Sequence, residues 1–304
     1  MSWVRPVLNL SLSWFERPWL ARGASPDKLR RAFSFKSKLW FRAPRGTKFT
    51  ADRLEHVPAL WVRPKHCDDD YVILYFHGGG YFMGSPTTHR ALMGQLAKLT
   101  RMPAVLPDYR KAPESPFPAA YDDALAAYKA LLARGFEGAQ IVIGGDSAGG
   151  GLALALLAGI CREGLAQPAM TFAFSPFADL TVSADSHRDN DASEVMLPPE
   201  KMPQTAKGYL NGADPRDPRA SPLYASFEGA GPVYLYASHA EILRDDTVNM
   251  AARLKRDGVQ VVTRLEAGLP HVWPLFHNLL PEARVTLSQL AGHIRVRLFA
   301  RNEN

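Results

Sequence analysis

Short apolar runs recur along the chain at 71–76, 103–107, 140–144, 169–174, 232–237 and 259–265, and the first of them is almost wholly apolar. That first run is as expected of a strand buried on both faces, and the others are read as further strands. Between most of them, near 88–100, 119–133, 148–163 and 244–257, apolar positions recur with helical spacing, and a last helical stretch covers 282–299. Strand alternating with helix predicts a mostly parallel central sheet flanked by helices. The strand pattern begins at about Thr47.

Two stretches stand outside this alternation. In the first forty-odd residues Trp3, Val4, Val7, Leu8, Trp14 and Phe15 recur at helical spacing, with Arg5, Asn9 and Glu16 between them. Ser25-Pro26-Asp27 then reads as an N-cap followed by proline at the first helical position, with Leu29, Phe33 and Trp40 following roughly on one face. The second stretch, 183–228, is rich in Asp, Ser and Pro, with a helical piece near 199–210. An insertion of this kind is expected over the ends of the strands, where it pairs with the N-terminal helices as a helical cap.

Charge changes the picture only locally. The formal net charge is +6, yet residues 1–50 hold eleven Lys or Arg against Glu16 and Asp27, a balance of +9 that leaves about −3 for the rest. A nucleic-acid binder would carry its basic face on the main domain, so that class is excluded. The aromatics of the basic segment are expected to pack on the core or line a pocket, with the cations as the solvated side. The alternative is peripheral membrane contact, a cationic, aromatic-rich helix lying in an anionic surface. No apolar run reaches the ~20 residues that span a bilayer, and Arg5, Pro6 and Asn9 interrupt any signal-peptide pattern. Cys67 and Cys161 are read as free thiols, which places the protein in the cytoplasm.

Chemistry enters at Gly145-Asp146-Ser147-Ala148-Gly149, between the run 140–144 and an alanine- and leucine-rich helix. A sharp strand-to-helix turn needs small residues on either side and raises the serine hydroxyl at the head of a helix. The Ala148 N–H then faces an oxyanion formed on a carbonyl attacked by Ser147. A turn that merely packs helix on strand would share these residues. However, His77-Gly78-Gly79-Gly80 follows the earlier strand 71–76, where glycines let backbone N–H groups approach a ligand. Gly78 and Gly79 are the expected further oxyanion donors, and His77 has a structural role. His271 sits in a loop after the strand 259–265, where a general base arrives on such a sheet. The other histidines are read as surface or packing residues.

With these motifs in that order, the chain resembles the hormone-sensitive-lipase-like, or bacterial family IV, esterases from about Leu60 to about Phe276. The resemblance also rests on the stretch from Asp108 to Pro118, on Ser175-Pro176-Phe177-Ala178-Asp179-Leu180-Thr181 and on Ser221-Pro222-Leu223-Tyr224. Lys111 stands where the family has leucine. The resemblance implies the α/β-hydrolase fold, with a cap segment over 1–45 and a catalytic domain over 46–304 that carries 183–228 as its cap insertion. It implies that 108–118 braces the nucleophile turn, that the substrates are small-molecule esters with short to medium acyl chains, and that the last strand pairs across a two-fold axis in a homodimer.

It also places the third triad member at Glu241, about thirty residues before His271. Asp245, one helical turn further on, is the competing candidate, and Glu241 could instead cap the following helix. The implied triad is Ser147, Glu241 and His271, with oxyanion donors Gly78, Gly79 and Ala148. No cofactor and no metal is implied. An amidase, deacetylase or acyltransferase would use the same parts. A non-catalytic ligand-binding relative, as in plant gibberellin receptors, would lack the histidine that stands here as His271.

Overall fold

The computed structural model describes residues 2–299; residue 1 and residues 300–304, at the ends of the two expected segments, lie outside the described residues. The N-terminal segment forms α1 (Val4–Ser11), a π-helical turn (Leu12–Glu16), α2 (Arg17–Ala21) and α3 (Pro26–Trp40). The sheet begins with β1 (Lys48–Leu54) and β2 (Val57–Arg63). Then come β3 (Val72–Phe76), α4 (Pro86–Thr100), β4 (Ala104–Pro107), α5 (Ala119–Ala133), β5 (Ile141–Asp146), α6 (Ala148–Glu163) and β6 (Met170–Phe174). The insertion holds α7 (Ser186–Asp189) and α8 (Met202–Leu210). The chain closes with β7 (Val233–Ser238), α9 (Arg244–Arg256), β8 (Val261–Glu266) and α10 (Pro281–Phe299).

Eight strands make one sheet in the order β1-β2-β4-β3-β5-β6-β7-β8. The first three pair antiparallel and the rest parallel. Successive residues of β3 point to opposite faces, so each meets its own layer of helices. Val72, Leu74 and Phe76 join the core under α5 and α6, where Ala124, Leu131, Leu152 and Leu156 are buried. Ile73 and Tyr75 join the core under α4 and α10, with Leu92, Leu96, Leu287 and Ile294. A third cluster packs α9, through Met250 and Leu254, on Val233 and Leu235 of β7.

The N-terminal segment corrects one expectation. Val4, Leu8 and Leu12 turn inward onto the α4/α10 core. Trp3, Val7, Leu10 and Trp14 lie on the opposite side of the helix and stay exposed, as do Phe15, Phe35 and Trp40. Most of the aromatics therefore neither pack on the core nor line a pocket. A helix with two apolar stripes can bury only one of them against a single neighbour.

Polar bonds fix this segment over the C-terminal ends of the strands. Asn9 Nδ2 donates to the carbonyl of Gly268 (3.0 Å), and Arg17 donates to that of Glu194 in the insertion (2.7 Å). Arg30 donates to the carbonyls of Phe82 (2.8 Å) and Ala112 (2.9 Å) and pairs with Glu114. The insertion is anchored by Tyr209 of α8, whose ring stacks on Tyr81 with centroids 3.7 Å apart. Among the described residues, no helix is long and apolar enough to cross a membrane. Cys67 and Cys161 are free and half-buried.

Candidate active site

β5 runs into Gly145-Asp146, and the chain turns at Ser147 directly into α6. Ser147 adopts φ +53° and ψ −123°, a conformation that costs a non-glycine residue and persists only where its surroundings enforce it. Its N–H donates to the Phe174 carbonyl (2.8 Å), and its own carbonyl accepts from Phe177 (2.9 Å) and Gly151 (3.0 Å). The turn has no room for side chains beside it. A Cβ on Gly145 would lie 2.1 Å from the Gly149 carbonyl oxygen, and one on Gly149 would lie 2.1 Å from that of Phe76.

Glu241 follows the end of β7 and is buried. Its Oε1 accepts the Ser238 N–H (2.6 Å) and the Ser175 hydroxyl (2.8 Å), and its Oε2 lies 2.6 Å from His271 Nδ1. Burial alone would lower the His271 pKa, but the hydrogen bond and charge of Glu241, with Glu194 and Asp146 adding, raise it above the ordinary imidazole value. Asp245 turns away: it accepts the Ser186 N–H (2.9 Å) and pairs with Arg244 (2.7 Å). The fold brings Glu241, and not Asp245, to the histidine.

The glycine loop departs from expectation at Gly78. Its N–H donates to Asp146 Oδ1 (3.1 Å) and is not free to receive an oxyanion. The first glycine after β3 still faces the carboxylate beside the nucleophile, and the chain turns outward only at Gly79 (φ +127°) and Gly80 (φ +63°). No acceptor among the described residues takes the N–H of either. Ala148 is the first residue of α6, where an N–H has no partner within the helix.

These groups open on one cavity of about 380 Å³, lined by Gly79, Gly80, Ser147 and His271. Trp19, Leu20, Leu29 and Phe33 of the N-terminal segment form one wall, and Met196, Leu197, Met202 and Thr205 of the insertion form another. The arrangement can take up a carbonyl compound with an apolar arm and present it to a hydroxyl, an imidazole and free N–H groups.

Known proteins share both chain and fold. The family described as the alpha/beta hydrolase fold matches residues 73–275. An acetyl-hydrolase of Streptomyces hygroscopicus is 34% identical over 292 residues, covering 95% of this chain and 96% of that protein. Among solved structures, the esterase EstE5 soaked with p-nitrophenyl butyrate has a TM-score of 0.93 at 35% identity, covering 98% and 99% of the two chains. An esterase from the bacterial hormone-sensitive lipase family has a TM-score of 0.92 at 31% identity, with the same coverage. The chain belongs to the hormone-sensitive-lipase-like family of esterases.

The site of this esterase also uses residues that sequence reasoning missed. Ser175 accepts the Val272 N–H (3.2 Å) while donating to Glu241, so one hydroxyl ties the acid to the histidine loop. Asp146 accepts from the Tyr75 hydroxyl (2.7 Å) and lies 3.3 Å from His89 Nε2. Glu194, buried in the insertion, accepts the N–H groups of Met196 (2.8 Å), Leu197 (3.1 Å) and Ile242 (3.1 Å). Burial pushes its carboxyl up, His271 pulls it down and Glu241 pushes it up again. The stretch 108–118 braces the glycine loop rather than the nucleophile turn, because Tyr109 stacks on His77 (4.3 Å) and donates to its carbonyl (2.6 Å). Lys111 Nζ is absorbed locally, by Asp108 (2.6 Å) and the Tyr109 carbonyl (3.1 Å).

Proposed function

We propose that this esterase hydrolyses carboxylic esters of short to medium acyl chain through an acyl-enzyme on Ser147. The observation that carries this reading is a strained serine and a carboxylate-held imidazole opening together on one apolar cavity. Ser147 Oγ attacks the ester carbonyl while His271 Nε2 takes its proton, and His271 then returns that proton to the leaving alcohol. Water repeats the sequence on the acyl-enzyme and releases the acid. Glu241 holds Nδ1–H and stabilises the imidazolium without taking the proton. The N–H groups of Gly79, Gly80 and Ala148 receive the oxyanion. The segment 1–45 and the insertion 183–228 act as the cap.

The cavity lies near the small end of the roughly 300–1,000 Å³ range of ligand sites. A confined cavity suits acyl arms of roughly two to eight carbons, the range that the family resemblance implies, better than those of long-chain triglycerides. Initial rates on p-nitrophenyl esters of rising acyl length are expected to peak within that range. A higher kcat/KM on emulsified long-chain triglycerides than on butyrate esters would refute the assignment.

The free thiols suit the reducing cytoplasm. We further propose a homodimer built by pairing β8, which ends the sheet and leaves an unpaired edge rich in β-branched residues. Light scattering at micromolar concentration is expected to give twice the chain mass, and a monomer there would count against the pairing.

A further inference from the structure

Of the thirteen large apolar side chains that are exposed among the described residues, eight lie on the N-terminal helices, from Trp3 to Trp40. Trp3, Val7, Leu10 and Trp14 follow the spacing of a single helical stripe, and they are 81%, 61%, 51% and 67% exposed. Along α3 a second exposed stripe runs through Lys28, Arg31, Phe35 and Lys38, with Leu39 beside it. Lys28, Arg31 and Lys38 pair with no acidic group among the described residues. The two acids of residues 1–50 are engaged elsewhere, Glu16 with Lys36 and Asp27 with Arg30.

We propose that this face seats the esterase on an anionic lipid surface. Tryptophan and leucine side chains on a helix enter the boundary between headgroups and acyl chains, and lysines and arginines of α3, which Lys36 ties to Glu16 and Trp19 of the preceding helices, meet the lipid phosphates. A second copy is the poorer occupant. Self-pairing of this face would bring together two segments that each carry a balance of +9, whereas an anionic bilayer complements that charge. The stripe is a convex helix face rather than a groove, which suits a fluid surface. The same segment walls the cavity through Trp19, Leu20, Leu29 and Phe33, so the seated enzyme holds its acyl site beside a reservoir of apolar esters.

Flotation of the whole protein with vesicles tests this. Wild type is expected to float with vesicles of equal parts phosphatidylcholine and phosphatidylglycerol at low salt. Binding should weaken by about tenfold or more on pure phosphatidylcholine or at high salt. Two paired variants, Trp3→Ser with Trp14→Ser and Lys28→Glu with Arg31→Glu, should each weaken binding to the mixed vesicles by about tenfold or more. Their rates on soluble p-nitrophenyl butyrate should match wild type, because none of these residues lines the cavity. Failure of wild type to float, equal flotation on neutral vesicles, or undiminished binding by both variants would each overturn the proposal. So would a change of oligomeric mass in either variant, which would make the face an interface between copies.

Discussion

Ser147→Ala is expected to lower kcat on p-nitrophenyl butyrate by about 10⁴-fold or more in a protein that still unfolds cooperatively. The proposed cycle has no other hydroxyl that could carry the acyl group. Alanine keeps a Cβ at the strained turn, and the backbone bonds of residue 147 to Phe174, Phe177 and Gly151 do not involve the side chain. The fold should therefore survive while the covalent step is lost. The small remaining rate would come from binding and from the oxyanion donors. Initial rates, thermal melts and labelling by a fluorophosphonate probe check the three parts of this expectation. A folded variant within about tenfold of wild type would place the nucleophile elsewhere.

Glu241→Gln should cost about 10³- to 10⁴-fold in kcat, because an amide can hold His271 in the wrong tautomer and cannot stabilise the imidazolium. Asp245→Asn should do far less, since its carboxylate serves Ser186 and Arg244 and not the histidine. The opposite ranking would give Asp245 the third role. The pH profile separates the electrostatic effect from simple damage. His271 must be neutral to accept the serine proton, so kcat/KM falls as pH drops through its pKa. Glu241 raises that pKa, which puts the acid limb of the wild type above the ordinary imidazole value. Removing the charge should move the limb to lower pH as well as lower the plateau. An acid limb unmoved in the variant would mean that Glu241 does not set the charge state of His271.

Much of the architecture was legible because parallel strands buried on both faces must be apolar throughout. All six apolar runs became strands of the sheet, although β8, at its edge and with Arg264 and Glu266, has no buried residue, and the helices between them sit where their spacing puts them. β1 falls outside that rule: most of its residues are exposed, Arg53 among them, and only the change of pattern at about Thr47 marked where it begins. The segment 1–45 was ambiguous for a different reason. With apolar stripes at 4, 8, 12 and at 3, 7, 10, 14, periodicity cannot tell which one meets the core. The glycine loop showed where donors would be but not their register, which depends on which N–H the Asp146 carboxylate takes first. Glu194 left no signal at all. It is one acid in a polar insertion, and only the folded chain places it behind Ile242.

Many of the side chains that wall the cavity lie on different parts of the polypeptide from those proposed to break the ester bond. Trp19, Leu29, Phe33, Met196 and Met202 come from segments that supply none of Ser147, Glu241 or His271. A change of volume at these wall positions alters which acyl arm fits without passing through the strained turn or the buried carboxylate. Substrate range can therefore drift across descendants of this chain while the chemistry is inherited unchanged.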